Sequence, residues 1–143
     1  MARIKKTITI NAPVEEVFGY VEEPANVPEY WPSVIEVKDV EPLPSGGTKY
    51  RWVYKMAGVR FEGSSEAIEY LPNQRTITDN KGGVPGIITW TYEPEGGGTK
   101  VTFEAEYTVN VPLLRRLAES FIVKVNEQEA ETVLANVKAK MEA

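Results

Sequence analysis

The last third of the chain constrains the fold more than any other stretch. From Leu113 to Met141 there is neither proline nor glycine. Across it Leu114, Leu117, Phe121, Val125, Val133, Val137 and Met141 recur at helical spacing. The spacing predicts one helix of about 28 residues, about 40 Å long. Everything before it is patterned differently. Residues 2–109 read mostly with period two, in short two-faced segments divided by Gly, Pro and Asn clusters. Strands joined by short turns pair antiparallel, and the apolar face of such a sheet needs a cover. One long helix is the obvious cover, so a many-stranded sheet has to be served by a single rod.

The segments before the helix can be placed in order. "RIKKTITINAP" puts Ile4, Ile8 and Ile10 on one face of a strand that stops at Pro13. Val14, Val17, Phe18 and Val21 then form a short amphipathic helix, with Glu15 and Glu16 near the positive end of its dipole. Pro24 and Pro28 break off a second short turn, "ANVPEYW". Strands are expected over 34–40, 48–56, 59–71 (with a bulge near Gly63), 75–80, 87–93 and 99–109. "KGGVPG" at 81–86 reads either as the lip of a cavity, through Val84 and Pro85, or as an ordinary hairpin loop. It is no phosphate cradle, because neither a helix nor a Lys-Ser/Thr pair follows it. No composition break, repeat or low-complexity tract divides the chain, so residues 1–143 read as a single α+β domain.

The aromatic residues carry the functional signal. In "YRWVYKM", Tyr50, Trp52, Tyr54 and Met56 share one face, and Arg51 and Lys55 fall on the other. Phe61, Trp90, Phe103 and Tyr107 are expected to face inward from other strands, and Phe121 from the helix. A twisted sheet curls, and a straight helix does not fit flush against it. The rings either fill the remaining gap as core or wall a cavity. Either way their OH and NH tips need partners once buried.

Composition narrows the chemistry. With 16 basic and 21 acidic residues the net charge is -5, which suits nucleic acid poorly. There is no cysteine and no histidine, so disulfides, thiolate metal sites and the commonest neutral-pH base are excluded; no metal and no cofactor are expected. No apolar run approaches the roughly 20 residues of a membrane span. The N-terminus "MARIKKTITI" turns straight into alternation, unlike a signal peptide, and points to a cytoplasmic protein. Arg115 and Arg116, in "PLLRRLAESF", are too few to hold an anionic membrane and read as solvated charge. Catalysis would fall to Glu, Asp, Tyr, Arg or Lys. Ser65 and Glu66 alternate on one strand, so one of them points inward unless a bulge intervenes. An inward Glu66 in an apolar pocket would have a raised pKa and could act as acid or base, which makes it the catalytic candidate.

The same segments carry a resemblance. "ITINAPVEEVFGYVEEPANVPEYWPSVIEV" resembles the opening of the START-like, or SRPBCC, superfamily, through Ala12-Pro13, the Val17-Phe18 pair and Trp31-Pro32. "YEPEGGGTKVTFEAEYTV" is similar to that family's late hairpin, with Gly98-Thr99 followed by Val101. The resemblance covers essentially the whole chain, and its end is similar to the polyketide cyclase/dehydrase and coenzyme Q-binding branch. It implies the helix-grip fold: a curved antiparallel sheet of about seven strands wrapped around the long C-terminal helix, with two short helices after the first strand. It also implies a deep cavity for a hydrophobic small molecule, such as a lipid, a quinone or a polyketide-like compound. Tyr50, Trp52, Tyr54, Phe61, Trp90, Phe103 and Tyr107 would line it from the strands. Phe121 and Val125 would line it from the helix, and Trp31 would plug one end. The alternatives are a cofactor-independent aromatase/cyclase acting in the same cavity, and a module that binds a protein partner and keeps only a vestigial cavity. The enzyme reading requires an ionisable side chain facing inward beside the rings.

Overall fold

The computed structural model of the chain describes residues 2–114, 117 and 119–143. β1 (Ala2–Ile10) leads into α1 (Val14–Val21), a single 3-10 turn (Pro24–Asn26) and α2 (Val27–Tyr30). β2 (Val34–Pro42), β3 (Thr48–Met56), β4 (Val59–Leu71), β5 (Arg75–Gly82), β6 (Gly86–Glu95) and β7 (Gly98–Tyr107) follow, and α3 (Glu119–Met141) closes the order. The strands form one seven-stranded sheet in the order β1-β7-β6-β5-β4-β3-β2, and every pair is antiparallel. β2 to β7 are a simple meander. The first strand lies beside the last, which puts both chain ends on one side of the sheet.

That closure explains two of the short motifs. Ile10 pairs with Thr99 across β1 and β7. The Thr99 hydroxyl donates to the Ala12 carbonyl at 2.8 Å, fixing the chain where it leaves β1 for Pro13 and α1. A Cβ on Gly98 would stand 2.5 Å from the Ile10 carbonyl oxygen, so only glycine allows this approach. Ala12-Pro13 and Gly98-Thr99 are thus two halves of one joint. Beyond it, α1 buries Val17, Phe18 and Val21. Phe18 meets the rings of Tyr70 and Tyr92 edge-on, at centroid distances of 5.5 and 5.1 Å.

The bulge does not fall at Gly63. There β3 and β4 run in unbroken register, Trp52 opposite Gly63, and the irregularity in β4 lies between Ala67 and Glu69. Gly63 serves the Trp52 ring instead. A Cβ at Gly63 would stand 2.3 Å from two carbons of that ring and 2.4 Å from the Lys81 carbonyl oxygen. Gly63→Ala is therefore expected to cost about 1–3 kcal/mol, as overpacking does, and to shift Trp52 fluorescence. Urea titration and emission spectra of the variant check both; wild-type values for both would show that the ring has room to move.

The long helix is shorter than its periodicity suggests. α3 has 23 residues and begins at Glu119. Residues 111–114 instead make a turn, closed by the Leu114 amide on the Val111 carbonyl at 2.9 Å. Val111 and Leu114 pack with Met56 and Ile122 in a small core cluster of their own. Arg115 and Arg116 lie outside the described residues, as does the side chain of Glu119. The apolar face is also rotated from the one expected. Ile122, Ala130, Val133, Leu134 and Val137 are buried, whereas Phe121 is 49% exposed and Leu117 is exposed. At 3.6 residues per turn Phe121 sits about 120° around the helix from Val133, and Ile122 only about 20°. The sheet-facing stripe therefore runs through Ile122, and Phe121 falls off its edge.

Candidate functional site

α3 approaches the backbone of β1 closely and also packs on α1 and α2, but it stands off from β3, β4 and β5. Its end is tied to the β1 side: Lys138 Nζ donates to the Thr9 carbonyl at 2.9 Å, and Glu142 accepts from the Asn11 amide at 2.8 Å. The curved middle of the sheet is thus left without a close backbone neighbour. Between it and α3 lies a cavity of about 150 Å³, neither sealed nor a flat surface depression. Cavities of roughly this size take up one benzene-sized ring.

The rings of the aromatic strand do wall this space. Tyr50, Trp52 and Tyr54 line it from β3, while Arg51 and Lys55 are exposed. Trp90 of β6, Phe103 and Tyr107 of β7, and Trp31 just after α2 also border it. Three of the expected residues do not. Phe61 stands behind the others, its ring centroid 5.3 Å from Tyr54 and 6.2 Å from Trp52. Val125 is half-buried at the margin of α3 and lines nothing, and Phe121 points away. Ser65, 2% exposed, is the inward member of its pair, so Glu66 takes the outer face, where it is exposed and lies 3.9 Å from Lys49. Glu66 therefore has no access to the cavity.

Two other carboxyl groups occupy the wall. Glu129 reaches in from α3, one turn beyond Asn126, and accepts hydrogen bonds from Trp31 Nε1 and the Tyr54 hydroxyl on a single oxygen, Oε1. Ser33 is a further donor to it. Burial pushes its pKa above the usual carboxylate range, and the hydrogen bonds from Tyr54, Trp31 and Ser33 pull part of the way back. Glu22, just past α1, accepts from Thr76 Oγ1 at 2.8 Å and from the Tyr92 hydroxyl at 2.6 Å, both on Oε2. Its pKa too is raised by burial and held back by Tyr92 and Thr76. No buried side-chain nitrogen or oxygen lacks a partner among the described residues, so Glu22 Oε1, which accepts from no described donor, faces open space. Burial also raises the tyrosines of the wall: Tyr50 to about 12, and Tyr54 well above the ordinary phenol value. Asn126 Nδ2 donates to the Tyr107 hydroxyl at 2.7 Å.

Glu129 and Asn126 were missed because polar residues in an amphipathic helix are read as its wet face. The signal was there in the spacing: both share the stripe of Ile122, Val133 and Val137. Glu22 falls in a run of two glutamates before Pro24, and only the tertiary fold turns it inward. Among the described residues no group of acidic side chains is placed to hold a metal ion, and no helix is long and apolar enough to cross a membrane.

The raised pKa values have a sign that can be tested. A carboxyl whose folded pKa lies above its unfolded value stabilises the fold fully below the unfolded pKa, near 4.3. That stability is lost as pH rises through the folded pKa. Glu22→Gln/Glu129→Gln, whose amide oxygens can keep the same donors, should therefore gain on the wild type as pH rises from about 4 to 8. Surface groups with lowered pKa values, such as Glu62 beside Lys38 and Glu69 beside Arg75, act equally in both proteins and cancel in the difference. Urea unfolding of the pair across that range gives the comparison; a pH-independent difference would mean that neither carboxyl is held protonated by the fold.

A twisted antiparallel sheet gripping one long helix over an aromatic-walled cavity defines the helix-grip fold class. The family model for polyketide cyclase/dehydrase and lipid transport proteins matches residues 1–142, and the chain belongs to that family. No curated protein sequence matches it. Among solved structures it resembles TTHA0849 from Thermus thermophilus, with a TM-score of 0.79, 23% identity, and 99% and 97% of the two chains covered. It also resembles a START superfamily protein from Mycobacterium smegmatis, with a TM-score of 0.82, 14% identity, and 98% and 97% covered. A third is the di-domain ARO/CYC StfQ from the steffimycin biosynthetic pathway, with a TM-score of 0.73 and 15% identity; the match covers 98% of this chain and 50% of that one. At these identities the likeness speaks for the fold alone.

Proposed function

We propose that the protein binds a compact hydrophobic small molecule in the cavity between β3–β7 and α3. The observation that carries this reading is the wall itself: Tyr50, Trp52, Tyr54, Trp90, Phe103 and Tyr107 border space left open between them and Asn126, Glu129 and Ala130 of α3. Trp31 closes the α2 side, its ring edge-on to Phe103 at 5.6 Å. Burying one large apolar contact is worth roughly 1.5–3 kcal/mol, so a few of them support micromolar binding. The size of the cavity favours a single ring or a short branched chain over a polyprenyl tail. Mass spectrometry of solvent extracts from gently purified protein tests this. A molecule of that class recurring across preparations is expected, and its consistent absence, together with no uptake of added aromatic probes, would contradict the reading.

A second reading is favoured by one specific observation. Glu129 and Glu22 are inward ionisable groups of the kind that acid–base catalysis requires, and burial raises the pKa of both above the usual carboxylate range. In a cyclase-type reaction such a carboxyl would polarise a carbonyl of the bound molecule or move a proton at the adjacent carbon. Glu129→Gln separates the two readings: a carrier keeps its ligand chemically unchanged in both proteins. An enzyme converts it, and the variant stops doing so.

A further inference from the structure

The two cavity carboxyls are anomalous in their partners. Several surface carboxylates pair with the chain's own cations: Glu62 with Lys38 at 3.1 Å, Glu131 with Lys6 at 3.1 Å, Glu69 with Arg75 at 2.6 Å. Among the described residues Glu22 and Glu129 are instead met by neutral donors alone, namely Thr76 and Tyr92 in one case and Trp31, Tyr54 and Ser33 in the other. Among the described residues no lysine or arginine lines the cavity. Carboxylates removed from water are normally matched by a positive charge. Here the described residues supply no counter-charge, and an acceptor oxygen, Glu22 Oε1, accepts from no described donor.

The rest of the wall suits the same missing partner. Trp52 and Trp90 border the interior, and Tyr54 and Phe103 stand beside them. Aromatic faces attract cations, tryptophan most strongly, and the attraction grows when water is excluded. Carboxylate acceptors and aromatic rings with no described cation beside them disfavour an anion and suit an ammonium group. The tyrosines near the carboxyls do not change this, because Tyr92 and Tyr54 already spend their protons on Glu22 and Glu129.

We infer that the ligand is a compact organic amine: about one ring in size, apolar in body, bearing a protonated nitrogen that pairs with Glu22 or Glu129. This rests on the cavity-binding reading above and sharpens it to a ligand class, setting it apart from fatty acids, phosphates and other anions. A charge-assisted hydrogen bond is roughly twice as strong as a neutral one, so the charged nitrogen should dominate the choice among ligands of equal size.

The test uses three probes of one shape and different charge: benzylamine, benzyl alcohol and benzoate, titrated into the full-length protein near neutral pH. Calorimetry gives the affinities, and amide chemical shifts locate the binding. Benzylamine should bind about tenfold or more tighter than benzyl alcohol, because its charge-assisted hydrogen bond to a carboxylate of the wall is the stronger one, and benzoate should bind weakest. Glu22→Gln/Glu129→Gln should bring benzylamine to parity with benzyl alcohol. Benzoate binding as well as benzylamine, or an amine preference that survives in the double variant, would overturn the inference. So would benzyl alcohol entering the cavity with no advantage for the amine, an outcome that leaves the cavity reading standing. If none of the three perturbs residues of the wall, both fall together. The comparison of probes on the wild type stands even if the double variant does not fold.

Discussion

Ending the chain after Asn110 is expected to leave no cooperatively folded protein. The truncation removes α3 and the turn before it, and with them the cover over the inner face of the sheet. Val133 and Val137 are fully buried, and Ile122, Ala130 and Leu134 nearly so. At about 1.5–3 kcal/mol for each large apolar side chain, their loss is comparable to the whole net stability of a domain, about 5–15 kcal/mol. The sheet partners Ile4, Val101 and Phe103, now buried, would face water as well. The shortened chain should be insoluble, or soluble but without near-UV circular dichroism and without a sigmoidal urea transition. A sharp unfolding transition in the truncated chain would show that the sheet is stable alone and that α3 is an addition to it, not its core partner.

Trp52→Ala is expected to damage binding far more than folding. Trp52 is only 8% exposed, which by itself describes a core residue. Fully packed tryptophans cost about 3–5 kcal/mol when cut to alanine. Gly63, Phe61 and Tyr54 pack against this ring, which also borders the cavity. Fewer contacts are lost, and the void left by the substitution adds to one that already exists. Stability should therefore fall by noticeably less than that range, while affinity for a bound aromatic probe falls by about tenfold or more, the equivalent of about 1.4 kcal/mol. Urea unfolding and probe titration on the same variant read both. A loss of about 4 kcal/mol with unchanged affinity would make Trp52 ordinary core.

Most of the fold was legible because strands and turns advertise themselves locally. The alternation in 48–56 and 99–109 matches β3 and β7 within a residue or two at each end, and the aromatic face of β3 turns inward as the pleat requires. Local patterns also misled where tertiary packing decides. The run from Leu113 kept helical spacing, yet Val111 and Leu114 pack into their own cluster with Met56 and Ile122. Phe121 looked like core because it is large and apolar, but helix phase is set jointly by all the residues that touch the sheet. Two of those are Asn126 and Glu129, whose polar groups reach Tyr107 in one case and Tyr54 with Trp31 in the other. The same blindness hid the chemistry of the cavity. A glutamate's alternation can place it on a face, as it left Glu66 and Ser65 open to either side. Only the assembled sheet shows that Glu22 meets Thr76 and Tyr92 from strands more than fifty positions away.

The central claim is that space between sheet and helix admits a molecule, and one measurement addresses it most directly. Crystals of the protein soaked with bromobenzene should show an anomalous bromine peak in the cavity bounded by Trp52, Trp90 and Ala130, with the ring lying against the tryptophans. A cavity closed by collapse of those rings onto α3, with bromine found only on the outer surface, would contradict it.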